Sequence, residues 1–127
     1  MSTITPKVLI VGNTPRWIQG VKAALPSNCD VHTRLDFVAA IEALFIDEGV
    51  YDLCIVANKL DSENEGLHIL QELREDGRAT AFIVYSKAVT ETSHKKITQF
   101  DGIVITPQNL NQPSPELQAK VAELLRL

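Results

Sequence analysis

Side chains able to do chemistry are few in this chain and scattered along it. The two cysteines share no metal-ligating spacing with each other or with a histidine. Cys54 falls inside an apolar run, as a small buried hydrophobe does, and Cys29 falls in the turn-like Pro26-Ser27-Asn28-Cys29-Asp30. His32, His68 and His94 have no carboxylate or cysteine in ligand register and read as surface histidines. Ser86 has no adjacent base to activate it, so Ser-based nucleophilic catalysis has no support. Asp61 and Asp101 stand singly in polar stretches and read as solvated loop acids. A Gly-rich phosphate cradle of either usual spacing is absent. The chain therefore reads as non-catalytic, with no cofactor and no metal site.

Composition narrows the class further. A chain of 127 residues with 45% hydrophobic and 22% charged residues is expected to form one globular domain over residues 1–127. No run approaches the ~18 apolar residues of a membrane span. The first residues, Met1-Ser2-Thr3-Ile4-Thr5-Pro6, lack the basic and then apolar regions of a secretory signal, so a cytoplasmic location is expected. A formal net charge of −4 argues against nucleic acid as partner, because phosphate binding needs clustered Lys and Arg.

Elements that could bring scattered side chains together alternate regularly. The central one is Asp52-Leu53-Cys54-Ile55-Val56-Ala57, an apolar run of the kind buried on both faces in a parallel sheet. Before it, Lys7 to Val11 predicts a strand closed by Gly12-Asn13, with Thr14 as cap and Pro15 opening a helix. Ile18, Val21 and Leu25 form that helix's stripe, with Trp17 and Ala24 flanking it as packing residues. Val31, Thr33 and Leu35 alternate with His32 and Arg34, the pattern of an edge strand with one wetter face. Asp36 caps a helix running through about Glu48, with Phe37, Ala40, Ile41, Leu44 and Phe45 inward and Gly49 as its stop. A polar loop, Asn58 to Gly66, leads to a helix marked by Leu67, Ile69, Leu70 and Leu73. Ala81 to Tyr85 is a fourth strand, followed by a weak helix from Thr90 to Gln99, short or mobile, with Val89, Ile97 and Phe100 supplying its apolar face. Gly102 to Ile105 is a fifth strand, and Ser114-Pro115-Glu116 opens a last helix with Leu117, Val121, Leu124 and Leu125 as its stripe.

Five strands alternating with five helices require right-handed parallel crossovers, hence an α/β three-layer sandwich. With the flavodoxin-like strand order 2-1-3-4-5, Gly12-Asn13, Ala57 and Ser86 converge on one crevice with Thr106-Pro107 at its rim. In element order and length, in Asp52-Leu53-Cys54-Ile55-Val56, in Gly66 opening the third helix, in Ser86 and in Pro107, nearly the whole chain resembles the receiver domain of response regulators.

Receivers of that family accept a phosphoryl group on an aspartate after strand three, with a magnesium ion held by acids after strand one, a hydroxyl and a lysine. The resemblance places the acid pair on Gly12 and Asn13, the nucleophile on Ala57, the hydroxyl on Ser86 and the lysine on Thr106, beside Pro107. Ile103 falls where the family carries a switching aromatic. Most of the phosphorylation chemistry is therefore missing, and the chain resembles a pseudo-receiver. Asp61 as a relocated phosphoacceptor lacks a metal and a charge clamp. What the resemblance implies is a phosphorylation-independent interaction module meeting a signalling protein, whether sensor kinase, regulator or output protein, or forming a homodimer. The expected surface is made by the fourth helix, fifth strand and fifth helix, carrying His94, Lys95, Lys96, Ile103, Gln118 and Lys120. The alternative is a small-ligand sensor in an uncharged, hydrogen-bonding crevice lined by Gly12, Asn13, Asn58, Ser86 and Thr106.

Overall fold

Alternation within the strands dictates the layering. In the computed structural model, which describes residues 5–47, 51–60, 64–87, 89–107 and 114–125, the strands are β1 (Lys7–Val11), β2 (Asp30–Arg34), β3 (Leu53–Val56), β4 (Ala81–Tyr85) and β5 (Ile103–Ile105). They form one parallel sheet in the order β2-β1-β3-β4-β5, as expected. Between them run helices α1 (Pro15–Ala23), α2 (Phe37–Glu42), α3 (Glu65–Glu75), α4 (Glu91–Gln99) and α5 (Pro115–Leu125). Val8, Ile10, Leu53, Ile55, Ile83 and Tyr85 turn to the face where Trp17, Val21, Leu117 and Val121 pack, so α1 and α5 cover that side. Leu9, Val11, Cys54, Val56, Phe82 and Val84 turn to the opposite face, against Leu44, Leu70, Leu73 and Ile97. Every residue of β3 is fully buried, which explains why its sequence is a continuous apolar run rather than an alternating one. Among the described residues no helix is long and apolar enough to cross a membrane.

Several local expectations are corrected. Trp17 is a packing residue, as expected, and packs in the core, buried with Val21 and Ala24, whereas the expected stripe residues Ile18 and Leu25 are only half-buried. Thr14 sits at the α1 N-cap position without a side-chain cap bond, so Pro15 and the backbone alone shape that start. The β2 edge is not split into a wet and a dry face: Val31 to Arg34 are all half-buried, and Leu35, beyond the strand, is 57% exposed. The second helix is α-helical only to Glu42 and continues as a π-helical turn from Ala43 to Asp47. Its stop at Gly49 lies outside the described residues.

The caps expected at Asp36 and Ser114 form, and Thr90, where none was expected, forms one as well. The side chains of Asp36, Thr90 and Ser114 accept from the amides of Ala39 (2.8 Å), Ser93 (3.1 Å) and Leu117 (3.2 Å). Helix α4 is short, nine residues, with Ser93 and Ile97 as its buried residues. Gly66 allows α3 to start hard against the strand it follows: a Cβ there would come within 3.0 Å of the Ala57 carbonyl oxygen and the Asn58 Cα.

Candidate functional site

The strand register brings the three central strand ends to one level. Val11 pairs with Val56 and Val56 with Val84, the Ala57 amide donates to the Val11 carbonyl at 2.9 Å, and the Ser86 amide donates to Ile105 at 3.1 Å. A cavity of about 230 Å³ opens there, lined by Asn13, Thr14, Trp17, Ala57, Lys59, Ser86, Lys87 and Pro107. Asn13, Ala57, Ser86 and Pro107 thus meet as the sequence predicts. Ala57 is half-buried, and Ser86 and Pro107 are buried.

Three residues expected in the lining are not there. Thr106 is exposed and off the cavity wall. Gly12 is buried beneath the indole of Trp17: a Cβ on Gly12 would sit 2.4 Å from Cζ3 and 2.5 Å from Cε3 of that ring. The indole is tied across the sheet by its Nε1–H, which donates to the Tyr85 carbonyl at 2.8 Å, and it leans on the Tyr85 ring with centroids 6.2 Å apart. Asn58 is buried because it serves the α3 start: its Oδ1 accepts from the Leu67 amide at 3.3 Å, and its Nδ2 donates to Asn64 Oδ1 at 3.1 Å. Asn64 is left-handed, with φ of 63°, and its Oδ1 also accepts from the Ser93 hydroxyl at 2.7 Å. The loop after β3 is thereby joined to α4. In place of the missing three, Thr14, Trp17, Lys59 and Lys87 complete the wall, so the crevice is cationic and largely apolar rather than uncharged and hydrogen-bonding.

Solved structures of similar shape decide the fold. The phosphorylated cyanobacterial phytochrome response regulator RcpA superposes with a TM-score of 0.83 at 18% identity, over 96% of this chain and 95% of that one. A two-component response regulator from Clostridium difficile gives 0.77 at 21% identity, over 96% and 97%. The BeF3-activated DrrB receiver domain gives 0.74 at 20% identity, over 98% and 100%. This is the receiver fold of response regulators. No family model and no curated protein matches the chain.

Magnesium, which receivers use, does not fit the residues at this receiver-type crevice. After β1 stands a glycine whose side-chain space the indole fills, its neighbour Asn13 offers a neutral amide, and Lys59 and Lys87 oppose a cation. Among the described residues no three His, Cys, Asp or Glu side chains cluster as ligands would. Asp61 lies outside the described residues.

The other candidate groups are dispersed. Cys54 is fully buried on β3, which pushes its thiol pKa up and leaves it unreactive; Cys29 is half-buried, and burial followed by the nearby Asp52 carboxylate raises it too. His32 lies on β2 between Asp30 and the Tyr51 hydroxyl, both at 3.2 Å, whereas His68 and His94 are exposed on α3 and α4. Asp101 is exposed between α4 and β5, and the Arg74 guanidinium clasps its carbonyl (3.4 Å) together with those of Phe100 (2.7 Å), Arg78 (2.9 Å) and Thr80 (2.9 Å). On the expected partner face, His94, Lys95, Lys96 and Gln118 are exposed, and Ile103 is half-buried against the α1/α5 side of the core. Lys120 is half-buried and pairs with Glu123 at 2.9 Å, and Lys95 pairs loosely with Glu91 at 3.8 Å.

Proposed function

We propose that the chain is a non-catalytic signalling module on the receiver fold that works without phosphorylation, by binding a protein. The observation that carries this is the Trp17 indole lying where a side chain at Gly12 would be, in the same crevice as Ala57. A receiver needs carboxylates there to hold a metal and accept a phosphoryl group; here an alanine stands after β3, a packed ring replaces one acid and an amide the other. The partner belongs to a signalling pathway, as a sensor kinase, regulator or output protein, or is a second copy of the chain. It docks across α4, β5 and α5, where Lys95 and Lys96 speed encounter by steering. The test is Ala57→Asp: with acetyl phosphate and magnesium this variant remains unlabelled, because positioning and charge neutralisation supply nearly all of the catalysis in phosphoryl transfer. Robust labelling of that single variant would show that the crevice still assembles a metal site, and would overturn the proposal.

A second reading, a small-ligand sensor, is favoured by the cavity itself. Lys59 and Lys87 beside Trp17, Ala57 and Pro107 suit a compact ligand with an anionic group and an apolar body. Thermal-shift screening against small carboxylic acids and nucleotides separates the two readings, since a ligand stabilises by RT ln(1 + [L]/Kd) and a scaffold without a ligand is not stabilised.

A further inference from the structure

A surface helix is normally apolar on one stripe and polar outside it, and α2 with its π-helical turn breaks that rule. Over Phe37 to Asp47 only Glu42 and Asp47 are charged. Such a segment is expected to be buried all round, yet its outer side faces solvent: Val38 is 63% exposed and Ile46 72% exposed. Continued α-helix would advance ~100° per residue and carry Ile46 about 80° round from Val38. The wider i→i+5 turn advances less per residue and leaves Ile46 on the outer side with Val38. Between these two, Ile41 and Phe45 are half-buried and line a groove of about 310 Å³ against α3, whose opposite wall is Glu72, Glu75 and Asp76. Arg78 holds the lower end of the ridge from beneath, donating to the Leu44 carbonyl and lying 4.6 Å over the Phe45 ring.

Charge decides what this face accepts. Asp76 is neutralised by Arg78 at 2.8 Å, whereas Glu42, Glu72 and Glu75 have no ion-pair partner among the described residues. An apolar ridge and groove bordered by uncompensated acids complements apolar anchors flanked by Lys and Arg. Isologous pairing with a second copy would set these acids against themselves, and nucleic acid would be repelled. We infer that the α2–α3 face is a docking surface for a basic amphipathic helix of a partner protein, seated with its apolar residues over Val38, Ile41, Phe45 and Ile46. Helix α3 lies between α2 and α4, so this face is separate from the basic α4 surface.

A labelled Leu/Lys amphipathic peptide of about 18 residues, long enough to hold a helix, is the probe, with the matching Leu/Glu peptide as control. The full chain binds the Leu/Lys peptide with salt-sensitive affinity, and amide shifts on binding concentrate on α2 and α3. Two variants, Val38→Ser with Ile46→Ser and Glu72→Lys with Glu75→Lys, alter exposed positions, keep the circular dichroism spectrum and weaken binding at least about tenfold each. The inference is overturned if the peptide fails to bind, if the Leu/Glu peptide binds equally, if neither variant matters, or if the shifts map to α4 or the crevice. It is equally overturned if the chain dimerises and Val38→Ser with Ile46→Ser abolishes the dimer, since a second copy then covers the face.

Discussion

Adding a single methyl group at Gly12 tests the indole plug. Gly12 does not have a positive φ, so Gly12→Ala meets no backbone penalty, and its cost is steric. The new Cβ would stand 2.4 Å and 2.5 Å from two ring carbons of Trp17. Carbon atoms prefer about 3.5–4.0 Å, so the ring must retreat by about 1 Å. That movement strains or breaks the 2.8 Å bond from Nε1 to the Tyr85 carbonyl. Overpacking costs about 1–3 kcal/mol and a lost buried hydrogen bond about 1 kcal/mol, giving about 2–4 kcal/mol in total. Against a total stability of about 5–15 kcal/mol this is a large share. Urea unfolding followed by circular dichroism measures the loss, and the fluorescence of the chain's single tryptophan shifts to the red as the indole meets water. A double-mutant cycle isolates the cause: with Trp17→Leu already present, Gly12→Ala costs less than about 0.5 kcal/mol. An unchanged fluorescence spectrum with a loss under about 0.5 kcal/mol, or the same loss in both backgrounds, would refute the plug.

Other outcomes follow from the same geometry. Ser93→Ala removes the hydroxyl that donates to Asn64 at 2.7 Å, costs about 1 kcal/mol and speeds amide exchange across α4 more than across α3; uniform exchange would show that the link does not hold the helix. At alkaline pH, burial keeps the Cys54 thiol protonated in the folded state while the unfolded thiol ionises above about pH 8.5, so the unfolded chain binds fewer protons and stability falls as pH rises. Tyr85, also raised chiefly by burial, adds to that fall above about pH 10, and Cys54→Ala flattens the alkaline slope of the unfolding free energy; an unaltered slope contradicts the assignment. Lys95→Glu with Lys96→Glu changes two exposed residues and keeps stability within about 0.5 kcal/mol, while partner association slows most at low salt; normal association would remove α4 from the binding surface.

The fold could be read from the sequence because each strand carries its own signal. Four apolar residues at β3 bounded by polar ones, and caps at Asp36 and Ser114, leave little room for another architecture. What could not be read depends on contacts between elements. Gly12 and Trp17 are five residues apart, yet their relation depends on the angle at which α1 leaves β1, and neither residue type announces it. Asn58 looks like a loop residue facing the crevice until α3 is docked, when its amide becomes the partner of Leu67 and Asn64. Lys59 and Lys87 were hidden by their place just past the strand ends, where side-chain direction is set by the loop rather than by the two-residue period. The π turn after α2 likewise has no sequence signature, and the inward face read from Phe37, Ala40, Ile41, Leu44 and Phe45 does not tell that Val38 and Ile46 are left open on the outer side.

Intact mass spectrometry of the unaltered chain after incubation with acetyl phosphate and magnesium tests the central claim most directly. With Ala57 after β3 and Trp17 packed over Gly12, the mass stays that of the unmodified protein and beryllofluoride produces no change in the amide spectrum. A stoichiometric, magnesium-dependent phosphoryl adduct on an aspartate, at Asp61 or anywhere else in the chain, would contradict it.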